Sequence, residues 1–301
     1  MEPPQRAAII GVTGFVGRGL PALLADVGIS CTGVSRAGSG KVVGVDQWQR
    51  PDALDFSAHS AVINLAGEPI DRRWTAASKQ LFHDSRVGVA ERVVESIGKL
   101  PEAARPRVLI NASAVGIYGD RNDEILTDTA ARGEGYLADL CSDWENAAIA
   151  TESLGVRVVR LRIGIVLGRD GSAFKKLLFV FKLGIGGKLG SGKQWMPWIH
   201  LADLRSAIVH AVVSPSLKGP VNATAPQPER NADFTRKLAA ALHRPALLDA
   251  PGFALKIALG GFGGALLAGQ RALPDALEAD GFHFQYPTLE RALDDLLALP
   301  R

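Results

Sequence analysis

Short apolar runs alternate with longer amphipathic ones through the first two-thirds of the chain, a pattern that predicts a parallel α/β sheet. Ala7-Ala8-Ile9-Ile10 reads as a first strand, followed by a glycine loop and a helix to about Asp26. Residues 29–35 read as a second strand, 41–45 as a short third, and 61–66 as a fourth that ends at Gly67. Residues 107–111 and 156–161 are rich in β-branched side chains and bounded by turn residues, which predicts two more strands. Residues 76–100 and 136–154 carry helical spacing.

After Gly168 the pattern loosens. Residues 183–192, LGIGGKLGSG, hold too many glycines for a regular element and predict a loop of the kind that contacts ligand beside a pocket. Residues 199–213 read as a helix and 221–225 as a strand, with Asn231 placed to cap a helix that runs to Leu242. From Arg244 the chain reads as a small helical subdomain whose last helix covers residues 289–299. The fold class is therefore α/β, a Rossmann doubly wound parallel sheet with a small, mostly helical C-terminal domain on the substrate side. The Rossmann domain covers residues 1–225, with a glycine-rich excursion at 183–195 toward the substrate; the module at 226–301 completes that side.

Composition narrows the function classes. Hydrophobic residues make up 47% of the 301 and charged residues 22%, the balance of a soluble globular protein rather than a disordered one. The net charge of +3 is spread thinly, and Arg72-Arg73 and Lys175-Lys176 are too short for a nucleic-acid stripe. Cys31 and Cys141 form neither a disulfide framework nor a zinc pattern, which fits a reducing cytoplasm and no metal. The start, Met-Glu-Pro-Pro-Gln-Arg, has no apolar leader. Residues 253–269 are the most membrane-like, but Lys256 and several glycines interrupt them, and they fall short of the ~20 apolar residues that span a bilayer. They read as an amphipathic or buried helix.

The chemistry begins at Gly11-x-x-Gly14-x-x-Gly17, which follows a strand and opens a helix. Glycines there allow a tight turn and close approach of the backbone to a pyrophosphate, and the helix start offers unpaired N–H groups. Thr13, Phe15 and Val16 fill the same loop. At the end of the second strand, an acid would bond the ribose hydroxyls of NAD; the chain has Ser35-Arg36 instead, a hydroxyl and a guanidinium suited to the extra phosphate of NADP(H).

Thr13-Gly-Phe-Val-Gly17, Asn64-Leu-Ala-Gly67, Ser113-Ala-Val-Gly-Ile-Tyr-Gly119 and Trp198-Ile-His-Leu-Ala-Asp203 together resemble an extended short-chain dehydrogenase/reductase. Asn64-Leu-Ala-Gly-Glu-Pro-Ile70, Arg73-Trp74, Asp84-Ser-Arg86, Leu189-Gly-Ser-Gly192, Gly219-Pro-Val-Asn-Ala-Thr-Ala-Pro226, Gln270-Arg-Ala-Leu-Pro274 and Gly281-Phe-His-Phe284 are similar to its "epimerase family protein" branch. Members of that branch are commonly described as nucleoside-diphosphate-sugar epimerases. The resemblance implies a seven-stranded Rossmann core and NADP contacts at Ser35, Arg36, Leu65, Ala66, Gly67, Arg86 and Val166. In the wider superfamily a Tyr transfers the proton that accompanies a hydride, helped by a Lys four residues on and a Ser from the fifth strand. Ser113 and Tyr136 stand at the matching positions, and Leu140 stands where the Lys belongs. Tyr118 aligns with a structural Tyr-Gly pair.

Trp74, Trp195, His200 and Asn222 are the expected substrate contacts, since tryptophans beside a glycine loop can stack on a ring. His200, just before a helix, also suits a structural role. Two functions follow. One is an NADP(H)-dependent oxidoreductase or epimerase-like enzyme acting on a small or nucleotide-linked molecule. The other, favoured by Leu140, is an NADP-binding sensor or scaffold with little catalysis, linked to cell division or envelope processes. A homodimer is compatible with either. No ligand cluster for a metal and no Ser/His/Asp setting for nucleophilic hydrolysis is visible.

Overall fold

A computed structural model describes residues 5–298. The readings of residues 1–4 and of a last helix reaching Leu299 lie, at those positions, outside the described residues. The strands are β1 (Arg6–Ile10), β2 (Ser30–Val34), β3 (Val45–Gln49), β4 (Ala61–Asn64), β5 (Val108–Ala114), β6 (Ile125–Leu126) and β7 (Arg157–Ile163). Then follow β8 (Ile165–Leu167), β9 (Trp195–Met196), β10 (Trp198–His200), β11 (Gly219–Ala223), β12 (Glu229–Arg230) and β13 (Arg271–Ala272). Within the described residues, seven of them form one sheet in the order β11-β7-β5-β4-β1-β2-β3, with every pairing parallel. The chain leaves β1 toward β2 and β3, then crosses back to β4 on the other side. Strand order therefore reverses between β1 and β4, and a crevice opens at their carboxyl ends, the usual place for a ligand in such sheets.

The third strand lies later than the predicted residues 41–45. Gly44 turns the chain with φ 83, and Val43 is 87% exposed, so the apolar pair that suggested a strand is part of the approach to it. As an edge strand with polar side chains, β3 carries no apolar run to announce itself. The predicted helix over 76–100 is two helices, α2 (Ala76–Asp84) and α3 (Val87–Gly98). Between them Ser85 donates to the Phe82 carbonyl and accepts from the Glu68 amide, and the break turns Arg86 inward.

The glycine loop leads into α1 (Leu20–Asp26); α4 (Tyr136–Ile149) follows β6, and α5 (Ser172–Lys182) occupies a stretch that the sequence left unassigned. Next come α6 (Leu201–Val213) and α7 (Asn231–Ala241). Asn231 is not the cap of α7, which Arg230 occupies without a side-chain bond. Asn231 is instead buried, accepting from the Leu189 amide at 2.7 Å, so it anchors the glycine-rich loop rather than the helix end. Residues 253–269 fold as α8 (Gly252–Leu259) and α9 (Gly261–Leu267), split at Gly260 with φ 60. Among the described residues no helix is long and apolar enough to cross a membrane.

α10 (Asp275–Ala279) and α11 (Leu289–Leu297) end the described chain. Leu277 and Phe282 pack into the cluster formed by β1, β4 and α6, while α11 packs on α7 in a second cluster with Trp198 and Phe174. The C-terminal segment is thus built into the core at two places, and its α8–α9 pair is left to wall the crevice.

Candidate functional site

The crevice is a cavity of about 840 Å³, within the ~300–1,000 Å³ common for small-molecule sites. One end is made by the glycine loop. Gly11 has φ 84, and a Cβ there would sit 3.1 Å from the Leu65 carbonyl oxygen. A Cβ on Gly17 would meet the Gly11 oxygen at 2.3 Å, so the turn closes only on glycine. Gly14 lines the cavity, and its missing Cβ would have the Gly11 oxygen, at 3.1 Å, as its nearest neighbour. The amides of Phe15 and Val16 have no acceptor among the described residues, while Arg205 of α6 holds the Phe15 and Val16 carbonyls at 2.8 and 2.9 Å. The loop is thereby clamped from behind with two N–H donors left free, a cradle that fits the phosphates of a dinucleotide.

Gly11, Gly14, Phe15, Val16, Gly17, Leu65, Ala66, Gly67 and Arg86 line this end together. The Arg86 guanidinium bonds the Glu68 carbonyl at 2.9 Å and lies 5.4 Å from the Trp144 ring centre. Thr13 is an exposed turn residue outside the lining. Ser35 does not offer a free hydroxyl, because it donates to the Ser39 carbonyl at 2.8 Å and closes the turn after β2. Arg36 lies outside the lining, its side chain 92% exposed and loosely paired with Glu68 at 3.8 Å. Val166 lies outside the lining, paired with Ile199 between β8 and β10.

Ser113, at the end of β5, and Tyr136, the first residue of α4, both line the cavity floor, with Leu140 one turn further along α4. Leu140 is buried and packs with Trp144 and Ala112. Tyr136 stacks on Trp74 with ring centres 5.1 Å apart, and its hydroxyl donates to the Lys79 carbonyl at 3.3 Å. Burial pushes the Tyr136 phenol above its ordinary range, and the positive charge of Arg86 partly opposes that. The neighbouring Cys141 thiol is pushed up to about 12 by burial, which keeps it protonated and unreactive.

Behind the floor lies a network that sequence reasoning missed. Ser113 Oγ donates to Glu145 Oε1 at 2.7 Å, and the Arg162 guanidinium grips both Glu145 oxygens at 2.8 and 2.9 Å. Arg160 adds a third contact at 3.2 Å, and Arg162 also donates to the Tyr118 hydroxyl. Burial works against the charge of Arg162, but the bonds to Glu145 and Tyr118 more than offset it and hold the group charged. The available signal was the pair Arg160 and Arg162 inside a strand of a parallel sheet, where a charge needs a partner.

Of the expected substrate contacts, Trp74 and Trp195 line the cavity and the other two do not. His200 caps α6, accepting from the Ala202 amide at 3.1 Å, and stacks on Tyr286. Burial lowers its pKa and keeps it neutral. Asn222 is fully buried, accepting from the Tyr118 hydroxyl and donating to the Leu126 and Leu273 carbonyls. Both are structural clasps, because all the hydrogen bonds they make join elements of the fold. The cavity instead recruits Phe262 and Leu266 of α9, which no local motif singled out.

Residues 7–223 match the family model described as the NAD dependent epimerase/dehydratase family, and residues 250–296 match a domain of unknown function, DUF1731. An epimerase family protein of Mycobacterium bovis is 39% identical over 293 residues, covering 95% of this chain and 95% of that protein. A chloroplastic epimerase family protein of Arabidopsis thaliana, a homologue of SDR39U1, is 37% identical over 305 residues, 97% of this chain and 86% of the relative. The crystal structure of human epimerase family protein SDR39U1 with NADPH is similar with a TM-score of 0.88 at 31% identity, covering 97% of this chain and 99% of that one.

Proposed function

We propose that this chain, which belongs to the NAD dependent epimerase/dehydratase family, is an NADP(H)-dependent oxidoreductase that reduces a carbonyl group. The observation that carries the proposal is a clamped phosphate cradle that shares one cavity with Ser113 and Tyr136. Bound there, NADPH would supply the hydride. The two free amides of the glycine loop would hold its pyrophosphate, and the exposed Arg36 after β2 would pair with the additional phosphate.

Arg36→Ala tests the cofactor choice. Loss of one charge-assisted contact costs about 1.5–3 kcal/mol, roughly ten- to hundredfold in NADPH affinity. NADH affinity should hardly move, and titration of both cofactors reads the difference. Equal binding of NADPH and NADH by the unaltered protein would rule out the preference.

Tyr136 is the proton donor in this scheme. The Ser113 hydroxyl already donates to Glu145, so it is not a second donor to the carbonyl oxygen. With its pKa raised, the phenol stays protonated through neutral pH, so it can deliver a proton to a carbonyl oxygen but is a poor base. Arg86 favours the phenolate that remains until solvent reprotonates it. Reduction should accordingly stay level across neutral pH and fall only above the ordinary phenol range, whereas oxidation should rise with pH. With no lysine one turn along α4, and the Lys79 ammonium lying over the ring 4.6 Å from its centre, Tyr136→Phe should slow reduction by roughly 10²-fold, the low end for a general acid. A variant as fast as the parent in both directions would make Tyr136 a wall and favour the second reading.

That second reading is an NADP-binding sensor or scaffold with little turnover, and Leu140 is the residue that favours it. An apolar side chain at this point supplies neither charge for the phenol nor a ligand for the nicotinamide ribose.

A further inference from the structure

We propose, resting on the NADP(H)-dependent reduction inferred above, that the substrate end of the cavity takes an uncharged, largely apolar carbonyl compound and not a nucleotide-linked sugar. A nucleoside diphosphate brings at least two negative charges, and proteins meet them with Arg or Lys forks or with free backbone amides. Among the described residues, the one cation lining this cavity is Arg86, and it is held at the cofactor end by the Glu68 carbonyl and the Trp144 ring. The charged side chains at the opposite end are Asp120 and Glu134, both acidic. Asp120 is fixed there, accepting from the Gly269 amide at 3.0 Å, so it does not swing away from an incoming anion.

Two arginines flank that side behind Trp195 rather than in the lining. Arg230 and Arg271 lie outside the lining, with their guanidinium carbons 4.5 and 4.7 Å from the Trp195 ring centre, and Arg230 is paired with Asp123 at 2.7 Å. A diphosphate in this half would face two carboxylates, both exposed at the cavity mouth, and no lining cation.

What the walls offer is apolar surface. Trp74 bridges Tyr136 of α4 and Phe262 of α9, at 5.1 and 6.5 Å between ring centres. Leu266, Met196 and Ile70 extend the surface, and Leu140 continues it under the proton donor in place of an ammonium. Of the hydroxyls on the floor, that of Tyr136 suits one carbonyl oxygen once it leaves the Lys79 carbonyl, because the Ser113 proton is committed to Glu145 and the Gln270 amide to the Gly119 carbonyl. An aromatic or branched aliphatic aldehyde or ketone matches the apolar part of this lining and leaves the two exposed carboxylates to solvent.

The test is a titration of the full-length protein with prodan, an uncharged naphthyl ketone whose emission shifts to the blue in apolar surroundings. Saturable binding is expected, and UDP-glucose in large excess should not displace the probe. Trp74→Ala and, separately, Leu266→Asp should weaken prodan at least tenfold, while NADPH affinity, followed by the cofactor's own fluorescence, stays within twofold of the parent. Displacement of prodan by UDP-glucose, or prodan binding that neither substitution alters, overturns the substrate class. Prodan binding that responds to both substitutions in a protein that fails to bind NADPH leaves the apolar ligand class standing and sinks the dehydrogenase reading instead.

Discussion

Gly14→Val is expected to leave the protein folded and to lower its NADPH affinity by about a thousandfold or more, near 4 kcal/mol. The residue lies at the centre of the cradle and lines the cavity, and its missing Cβ would be 3.1 Å from the Gly11 oxygen. A single methyl group would need only a slight adjustment there. The two further carbons of valine project into the space that a pyrophosphate needs to reach the Phe15 and Val16 amides, and each charge-assisted bond lost costs ~1.5–3 kcal/mol. Gly17→Ala should behave differently, because its Cβ would collide with backbone at 2.3 Å and disturb the turn itself. Cofactor fluorescence titration with circular dichroism on the same samples separates the two cases. A folded Gly14→Val protein with parental affinity would place the dinucleotide elsewhere.

Arg162→Met should destabilise the protein by about 3–5 kcal/mol, the usual effect of removing one partner from a buried ion pair. The Glu145 and Arg162 side chains are 3% and 8% exposed, so the stranded carboxylate has no access to water and keeps only Arg160 and Ser113. Tyr118 loses a donor in the same step. Replacing both ends, with Glu145→Leu and Arg162→Met together, should recover part of the loss, because the buried carboxylate goes with its partner and the charge then left, on Arg160, is 18% exposed. Urea unfolding of the two single variants and the double variant measures this coupling. A loss below about 1 kcal/mol in the single Arg162 variant would mean that water reaches the pair.

Much of the site could be read in the chain because its positions depend on local rules. The glycine spacing after a strand dictates a turn, the lack of an acid after β2 speaks to the cofactor, and Ser113 and Tyr136 fall at the ends of adjoining elements. Residues whose roles depend on distant partners were not legible. His200 and Asn222 look like pocket residues in a list of polar side chains, yet Asn222 is consumed by bonds between elements remote in sequence, and His200 caps α6 while it packs on Tyr286 and faces Asp295. Arg86 was placed on a continuous helix, and the break that points it inward comes from Ser85 bonding Glu68 across 17 positions. The strand at Val45–Gln49 was displaced because an edge position removes the apolar signature that betrays central strands.

The clamp on the glycine loop bears on how the protein is made. Arg205 reaches back to Val16 and Phe15 across 189 and 190 positions. Synthesis runs from the amino end at roughly 5–20 residues per second, so the nascent chain carries its complete glycine motif for many seconds before α6 exists to hold it. A fragment that ends ahead of α6 contains every residue of the cofactor signature and lacks the group that braces its carbonyls.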